Sequence, residues 1–379
     1  MFSEKERQRR LDATAGLIKE EDLQAIWITG NGTVATNDFG CYRYFTDCRV
    51  SFYVAGAIIT PQGDLIGVAK DENERQTFCK ESFVKEAVIN RDQVAGAAEI
   101  LKSRGISKGR IGVLMDVLPS KWKHQMLEYI PGLEFVDVSD QVFALRTVKS
   151  LEEIETQRIC AKIADAGYAA MCEAAVPGAK ESEIVAAGNY VMQKMGMEQS
   201  FMLVSSGKFS IENNTMQLLH HTSSIDNVLS KGDCVAFEMT PKYNGYWTQI
   251  VRTISVGAPN PDLSEFVRVT RGAIEAGKKV MRAGLPISEM VQEMYKYAES
   301  EGYRVREPIG HICAVDLNEE RVSLNNQRLL TPGMCVILHP TVVSDQVKNG
   351  IFWGESYLVT ETGYEKIMES SCELYVSGS

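Results

Sequence analysis

The sequence predicts an α+β fold in two parts, a smaller α/β domain over residues 1–147 and a larger α+β domain over residues 148–379. Three observations carry this. Between residues 25 and 129, strand-like runs alternate with helical runs, the texture of a small α/β domain. Near residues 145–150 a boundary is marked by Ser150 with Glu153, a capping-box pattern that opens a long helix. Beyond residue 200, strands and helices come in blocks. A chain of 379 residues has room for two domains, one with a substantial core.

Residues 4–24 read as a polar amphipathic helix, followed by a strand at 25–29 and a Gly/Asn turn at 30–32. Residues 51–59 and 64–68 flank Pro61-Gln62-Gly63, the pattern of a hairpin. A helix near 93–104, a strand at 110–114 and a helix near 119–129 complete the first domain. In the long helix that follows, Ile159, Ile163, Ala166 and Ala170 line one inward face, and Val176-Pro177-Gly178 stops it. A second helix runs over 181–195 and stops at Gly196. Strands follow at 201–205, 234–239, 251–256 and 334–338, with helices near 263–283 and 287–301.

Composition narrows the function. An apolar fraction of 44% and a charged fraction of 24% suit a soluble globular enzyme or binding protein. A net charge of -10 argues against nonspecific binding to nucleic acid or an anionic membrane. No run reaches the roughly 18 apolar residues of a membrane span, and the start, MFSEKERQRR, has no apolar run behind it. The expected location is cytoplasmic. The nine cysteines are widely spaced without a CxxC pair, so reduced, buried thiols are expected.

Several short motifs recur in one order over residues 145–370. They are Lys231-Gly232-Asp233, Tyr243-Asn244-Gly245-Tyr246, Arg252-Thr253, Gly310-His311, Pro332-Gly333-Met334, His339-Pro340 and Leu358-Val359-Thr360 before Glu361-Thr362-Gly363. Their order and spacing resemble the pita-bread family, which includes methionine aminopeptidase, aminopeptidase P, prolidase and creatinase. The first domain is similar to the smaller N-terminal domain of the creatinase and prolidase branches. In the family's metallopeptidases, two Asp, one His and two Glu hold two divalent ions. The resemblance puts Glu238, Gln249, His311, His339 and Gly354 at those five positions. Carboxylates bridge two cations because each offers two anionic oxygens. Gln249 brings no charge and Gly354 no side chain, so a two-metal centre is not expected. The expectation is no metal and no other cofactor. A single divalent ion held by Glu238, His311 and His339 is the alternative.

Creatinase is the family's metal-free precedent for hydrolysing a C–N bond, with a His as acid/base. The resemblance carries that role to His221, with His220 beside it as the alternative. An imidazole with its ordinary pKa suits proton transfer in both directions near neutral pH. Glu238 is a base for water, a nucleophile or an anchor for a cationic group, and burial should raise its pKa. His311 and His339 either polarise a carbonyl or fill the vacated metal volume as a hydrogen-bonded pair. Substrate contacts are expected from Tyr246 or Trp247, which alternate, and from Gln249, Asn318, Trp353 beside Phe352, and Glu355 as a second anion. Val251 and His339 stand where creatinase has substrate-binding carboxylates, so creatine itself is not the expected substrate. In the creatinase branch a partner subunit's N-terminal domain closes the pocket, which implies a homodimer here, with Phe45 and Arg49 contributing. The reading is thus a metal-independent hydrolase or lyase of a C–N bond in a small polar substrate. The alternatives are a single-metal Xaa-Pro dipeptidase and a non-catalytic binding protein.

Overall fold

A computed structural model describes residues 2–31, 36–37, 40–48, 53–209, 219, 222–345 and 350–378. The chain divides into two compact units, Met1–Glu152 and Glu153–Ser379.

In the first unit, α1 (Glu4–Glu20), β1 (Ala25–Asn31), α2 (Gly40–Thr46), β2 (Val54–Ile59), β3 (Leu65–Ala69) and α3 (Glu72–Glu81) come first. They are followed by β4 (Glu86–Ile89), α4 (Gln93–Ser103), β5 (Lys108–Val113), α5 (Ser120–Tyr129), β6 (Gly132–Asp137) and α6 (Ser139–Thr147). The six strands form one sheet in the order β4-β3-β2-β1-β5-β6. Only β2 runs antiparallel to its neighbours. The expected hairpin is β2–β3, with Ile59 opposite Leu65 and Gly63 at φ 83° in the turn. The carboxylates of Asp71 and Asp92 accept from the first free N–H groups of α3 and α4. The sequence reading missed α3, because Phe78 is its only buried residue and leaves no apolar periodicity.

The second unit begins in α7 (Leu151–Ala174) and continues through α8 (Glu181–Lys194), β7 (Gln199–Gly207), β8 (Cys234–Tyr243), β9 (Tyr246–Trp247) and β10 (Ile250–Val256). Then come α9 (Pro261–Val280), α10 (Ile287–Ser300), β11 (Arg304–Arg306), β12 (Gly310–Ile312), β13 (Glu320–Val322) and β14 (Cys335–Leu338). The last strands are β15 (Thr341–Val343), β16 (Gly354–Val359), β17 (Tyr364–Lys366) and β18 (Tyr375–Ser377). A sheet runs β13-β12-β14-β16-β10-β8-β7, with β9, β17 and β18 paired alongside it. This is the α+β architecture expected, with β9, β11 to β13 and β15 to β18 added to the expected strands.

Among the described residues, two apolar clusters hold the sheet to its helices. One joins Ile163 and Met171 of α7 and Ile184 and Met192 of α8 to Phe237, Met239, Ile250 and Ile254 of β8 and β10. The other joins Phe266 and Val269 of α9 and Met290 and Met294 of α10 to Val336 and Leu338 of β14 and Trp353 and Tyr357 of β16. Each such side chain, fully buried, contributes roughly 1.5–3 kcal/mol. Among the described residues no helix is long and apolar enough to cross a membrane. All nine cysteines are free thiols, and only Cys79 and Cys372 are not fully buried.

Candidate functional site

The site is built on the β8–β9–β10 hairpin. Asn244 and Gly245 have φ 45° and 87°, the left-handed pair that a two-residue type I′ turn requires. The register then runs without a bulge: Tyr243 opposite Tyr246, Lys242 opposite Trp247, Met239 opposite Ile250 and Glu238 opposite Val251. Because side chains alternate, Glu238, Thr240 and Lys242 share one face with Trp247, Gln249, Val251 and Thr253. On the far side of β10, Val251 is opposite Gly354 of β16, which puts Gly354 in the same row as Glu238. Strand β14 continues the sheet, and His311 of β12 lies opposite its Ile337.

On this face four polar residues stand together, all nearly buried: Glu238 8%, Gln249 0%, His311 7% and His339 4% exposed. His311 Nε2 and the side-chain amide of Gln249 are within hydrogen-bonding distance, 3.1 Å apart. The His311 and His339 rings meet edge to face, with centroids 5.3 Å apart. Phe352 packs edge to face on His339 at 4.7 Å. Thr240 Oγ1, Gln249 Nε2, Thr253 Oγ1 and His339 Nδ1 are buried without a hydrogen-bond partner among the described residues. Buried polar atoms are seldom left so in a native protein, which makes these four candidate contacts for a ligand.

The electrostatics follow from burial. Loss of water raises the Glu238 carboxyl to about 7, and no cation or hydrogen-bond donor among the described residues offsets it. Burial depresses His311 to about 4. It depresses His339 to about 3, helped by the neighbouring His311. Both imidazoles are therefore neutral at pH 7, and the carboxyl is the group in this cluster poised to change its charge there.

Several expected contacts fall elsewhere. Tyr246 turns to the opposite face, where its hydroxyl donates to Glu153 of α7; Trp247 takes the Glu238 face, covered by Lys242 with its Nζ 5.0 Å from the ring centroid. The Asn-Gly turn was the sequence signal that decides this alternation, since it sets the register. Glu355 is no second anion for the site. One residue beyond Gly354, it points to the other face, ion-paired with buried Arg252 and in contact with Cys372 Sγ at 3.3 Å. Trp353, one residue before Gly354, likewise turns away, its ring 5.2 Å from the Arg252 guanidinium. Phe352 is the aromatic side chain that reaches His339 instead. Asn318 is exposed on the connection between β12 and β13, outside the buried cluster. Phe45 is 1% exposed in α2, packed edge to face on Tyr44 in the first unit's own core, so it is not available to line a partner's pocket. His221, its neighbour His220, and Arg49 lie outside the described residues.

Comparison with known proteins follows the same division of the chain. The family model "Metallopeptidase family M24" matches residues 155–361, and "Creatinase/Prolidase N-terminal domain" matches residues 10–148. An Xaa-Pro dipeptidase of Pyrococcus furiosus is 27% identical over 250 residues, 64% of this chain and 68% of that protein. A creatinase of a Bacillus species is 24% identical over 396 residues, 97% of this chain and 91% of that protein. The solved structure of an Xaa-Pro dipeptidase from Bacillus anthracis superposes with a TM-score of 0.83 at 24% identity, covering 98% of this chain and 99% of that one. That likeness establishes the fold.

Proposed function

The chain belongs to metallopeptidase family M24, and from that membership we propose that it hydrolyses a C–N bond in a small, amino-acid-derived substrate with its own side chains in place of a metal pair. The observation that carries this is Glu238, a buried carboxyl with its pKa at about 7 and no partner among the described residues. A group with that pKa exchanges a proton readily near neutral pH. Glu238 takes the proton of an attacking water, and its acid form returns one to the departing nitrogen. His221 shares that proton transfer, the role carried to it by the resemblance to creatinase. His311 and His339, both neutral, hold the substrate's polar atoms, and Phe352 walls the pocket beside them.

The donor set supports the absence of a metal pair. Two divalent ions need several carboxylates, and this cluster offers one carboxyl, one amide and two imidazoles. Among the described residues no three His, Cys, Asp or Glu side chains are grouped so as to hold an ion. A side chain at position 354 is excluded sterically, since even a Cβ there would collide with the Leu338 carbonyl oxygen and with His339 Cα. The residues do not fit the family's two-metal centre. We further propose a homodimer in which the partner's first unit closes the pocket, the arrangement implied by the creatinase branch.

Likeness to the Pyrococcus Xaa-Pro dipeptidase favours a second reading, a metal-dependent dipeptidase. The deciding assay uses protein purified without added metal. Turnover of small amides, ureas, guanidino acids, lactams and Xaa-Pro dipeptides is measured with and without chelator. The proposal expects hydrolysis that survives chelation and that Glu238→Gln and His221→Ala each reduce at least a hundredfold. Activity removed by chelation and restored by Mn2+ or Co2+ selects the dipeptidase.

A further inference from the structure

We infer that the first unit carries a ligand site of its own, a crevice at one end of its sheet that takes a free α-amino acid with an apolar side chain. This goes beyond the hydrolase reading and does not rest on it. A cavity of about 650 Å3, the size of a small-molecule site, is lined there by Tyr53, Lys70, Asp71, Arg91, Gln93 and Trp122. Topology places it. Strands β1, β3, β4, β5 and β6 run parallel and β2 runs against them. Lys70 and Asp71 follow the end of β3, Arg91 follows β4, and Trp122 lies in the first turn of α5 after β5, while Tyr53 precedes the start of β2. All of them therefore gather at the carboxyl ends of the parallel strands. Helices α3 and α4 cover opposite faces of the sheet: a Cβ on Gly67 would meet Phe78 of α3, whereas the next residue, Val68, lies against Gly96 of α4. The connection from β3 thus leaves by one face and the connection from β4 by the other. A crevice where connections part in this way is where open α/β sheets bind small molecules.

The walls are held rigidly. Buried Gln93 accepts from the Gly56 N–H at 3.1 Å and donates to the Val68 carbonyl at 3.3 Å, which ties the start of α4 to β2 and β3. Trp122 stacks on buried Trp27, with ring centroids 5.9 Å apart and planes 6° from parallel. The Tyr53 hydroxyl donates to Glu74 of α3. The charges select the ligand. The first free N–H groups of α3 and α4 are taken by the carboxylates of Asp71 and Asp92, so the two helix starts offer nothing to a phosphate. Asp92 spends its other oxygen on Gln125, at 2.6 Å. Asp71 uses only Oδ1, which accepts from the Glu74 N–H at 2.9 Å, and its Oδ2 has no partner among the described residues. Lys70 is engaged with Glu74 at 3.7 Å. Arg91, exposed at the rim, has no ion pair or hydrogen bond among the described residues. One free carboxylate oxygen and one free guanidinium in a neutral set of charges match an ammonium and a carboxylate on one small molecule. Trp122 gives its apolar side chain a surface to cover.

The test is titration calorimetry of the full-length protein with L-phenylalanine and L-leucine. Phenylacetate, phenethylamine and inorganic phosphate serve as controls. At least one of the two amino acids should bind saturably at one site per chain. Phenylacetate and phenethylamine, which each lack one charge, should bind at least about tenfold more weakly. Arg91→Gln removes the guanidinium, and Asp71→Asn removes the charge while keeping the oxygen that caps α3. Each should weaken binding about tenfold or more. Glu238→Gln should leave it unchanged. No saturable heat from either amino acid up to about 10 mM overturns the inference. So does phosphate binding in place of the amino acids, or binding that survives both Arg91→Gln and Asp71→Asn. Binding lost in Glu238→Gln and kept in Arg91→Gln belongs to the second unit's cluster and overturns it as well. If Asp71→Asn does not fold, Arg91→Gln decides alone, because its side chain is exposed and holds nothing in the fold. The measurement needs no turnover, so an inactive protein that binds as expected sinks the hydrolase reading and leaves this site standing.

Discussion

Glu238 is a carboxyl kept out of water without a cation to compensate, and its thermodynamics can be worked out. Its folded pKa of about 7 lies above the ordinary 4.5. The neutral acid therefore contributes stability that is complete below about pH 4.5 and is lost as pH rises through 7. Ionising it in the fold costs on the order of 3 kcal/mol. Glu238→Gln should unfold at higher urea than the parent at pH 8, and the difference should shrink to near zero by pH 4.5. A gap that stays constant with pH would contradict the assignment. His311 and His339 work in the other direction. Their folded values, about 4 and about 3, lie below the ordinary 6.5. The stability they supply is full above pH 6.5 and is lost as pH falls through 4. His339→Phe should flatten the acid limb of a plot of Tm against pH, and an unchanged limb would mean that other groups cause it. Gly354 is a steric prediction. Gly354→Ala should destabilise by about 3 kcal/mol or more, because its methyl meets backbone rather than a movable side chain.

At the scale of elements, two features position this face. The Asn244-Gly245 turn sets which side chains of β9 and β10 oppose those of β8. A slip of one residue would move Gln249 and Val251 to the other face. Beneath β14 and β16, α9 and α10 pack so closely at Gly272 that a Cβ there would run into the ring of Tyr297. Gly272→Ala should cost roughly 1–3 kcal/mol by overpacking. The double variant with Tyr297→Leu should recover part of that loss, because the two positions share one space. Purely additive losses in chemical denaturation would show that the contact is not the cause. Arg252 ties the sheet together at the site's back. It donates to the carbonyls of Val251 at 2.9 Å and Gly354 at 2.7 Å while pairing with Glu355. A buried pair of this kind is strongly destabilising to break and weak evidence of net stability.

For the whole molecule, the proposed homodimer predicts sedimentation as twice the 42.1 kDa chain at micromolar concentration. A single species at one chain mass would remove the partner from any account of the pocket. Both units have cores of their own, one around Trp27, Val68, Ala97 and Met126 and two in the second unit. Long helices were legible from sequence, since α7, α9 and α10 each carry a sustained apolar stripe. The polar helix α3 and the three-residue strands β11, β12 and β13 were not, because neither type is long or apolar enough to leave a pattern. The order of motifs along the chain brought Glu238, Gln249, His311 and His339 into one candidate site, and these four do stand together. Facing direction escaped that reading at Glu355, Trp353, Tyr246 and Phe45. Each is one residue from a side chain pointing the other way, or sits on an element whose packing the sequence does not reveal.

The amino-acid sequence by itself determined the architecture, the family and the chemical types gathered in the site, because apolar periodicity and motif order are properties of a linear chain. Only the tertiary structure decided which of those groups are partnered. Glu355 met Arg252 from 103 residues away, and His311 met Gln249 from 62, while Glu238 met no charge among the described residues. Burial and pairing are set by neighbours brought together in space. They make Glu238 the titrating group of this cluster and leave its two histidines neutral.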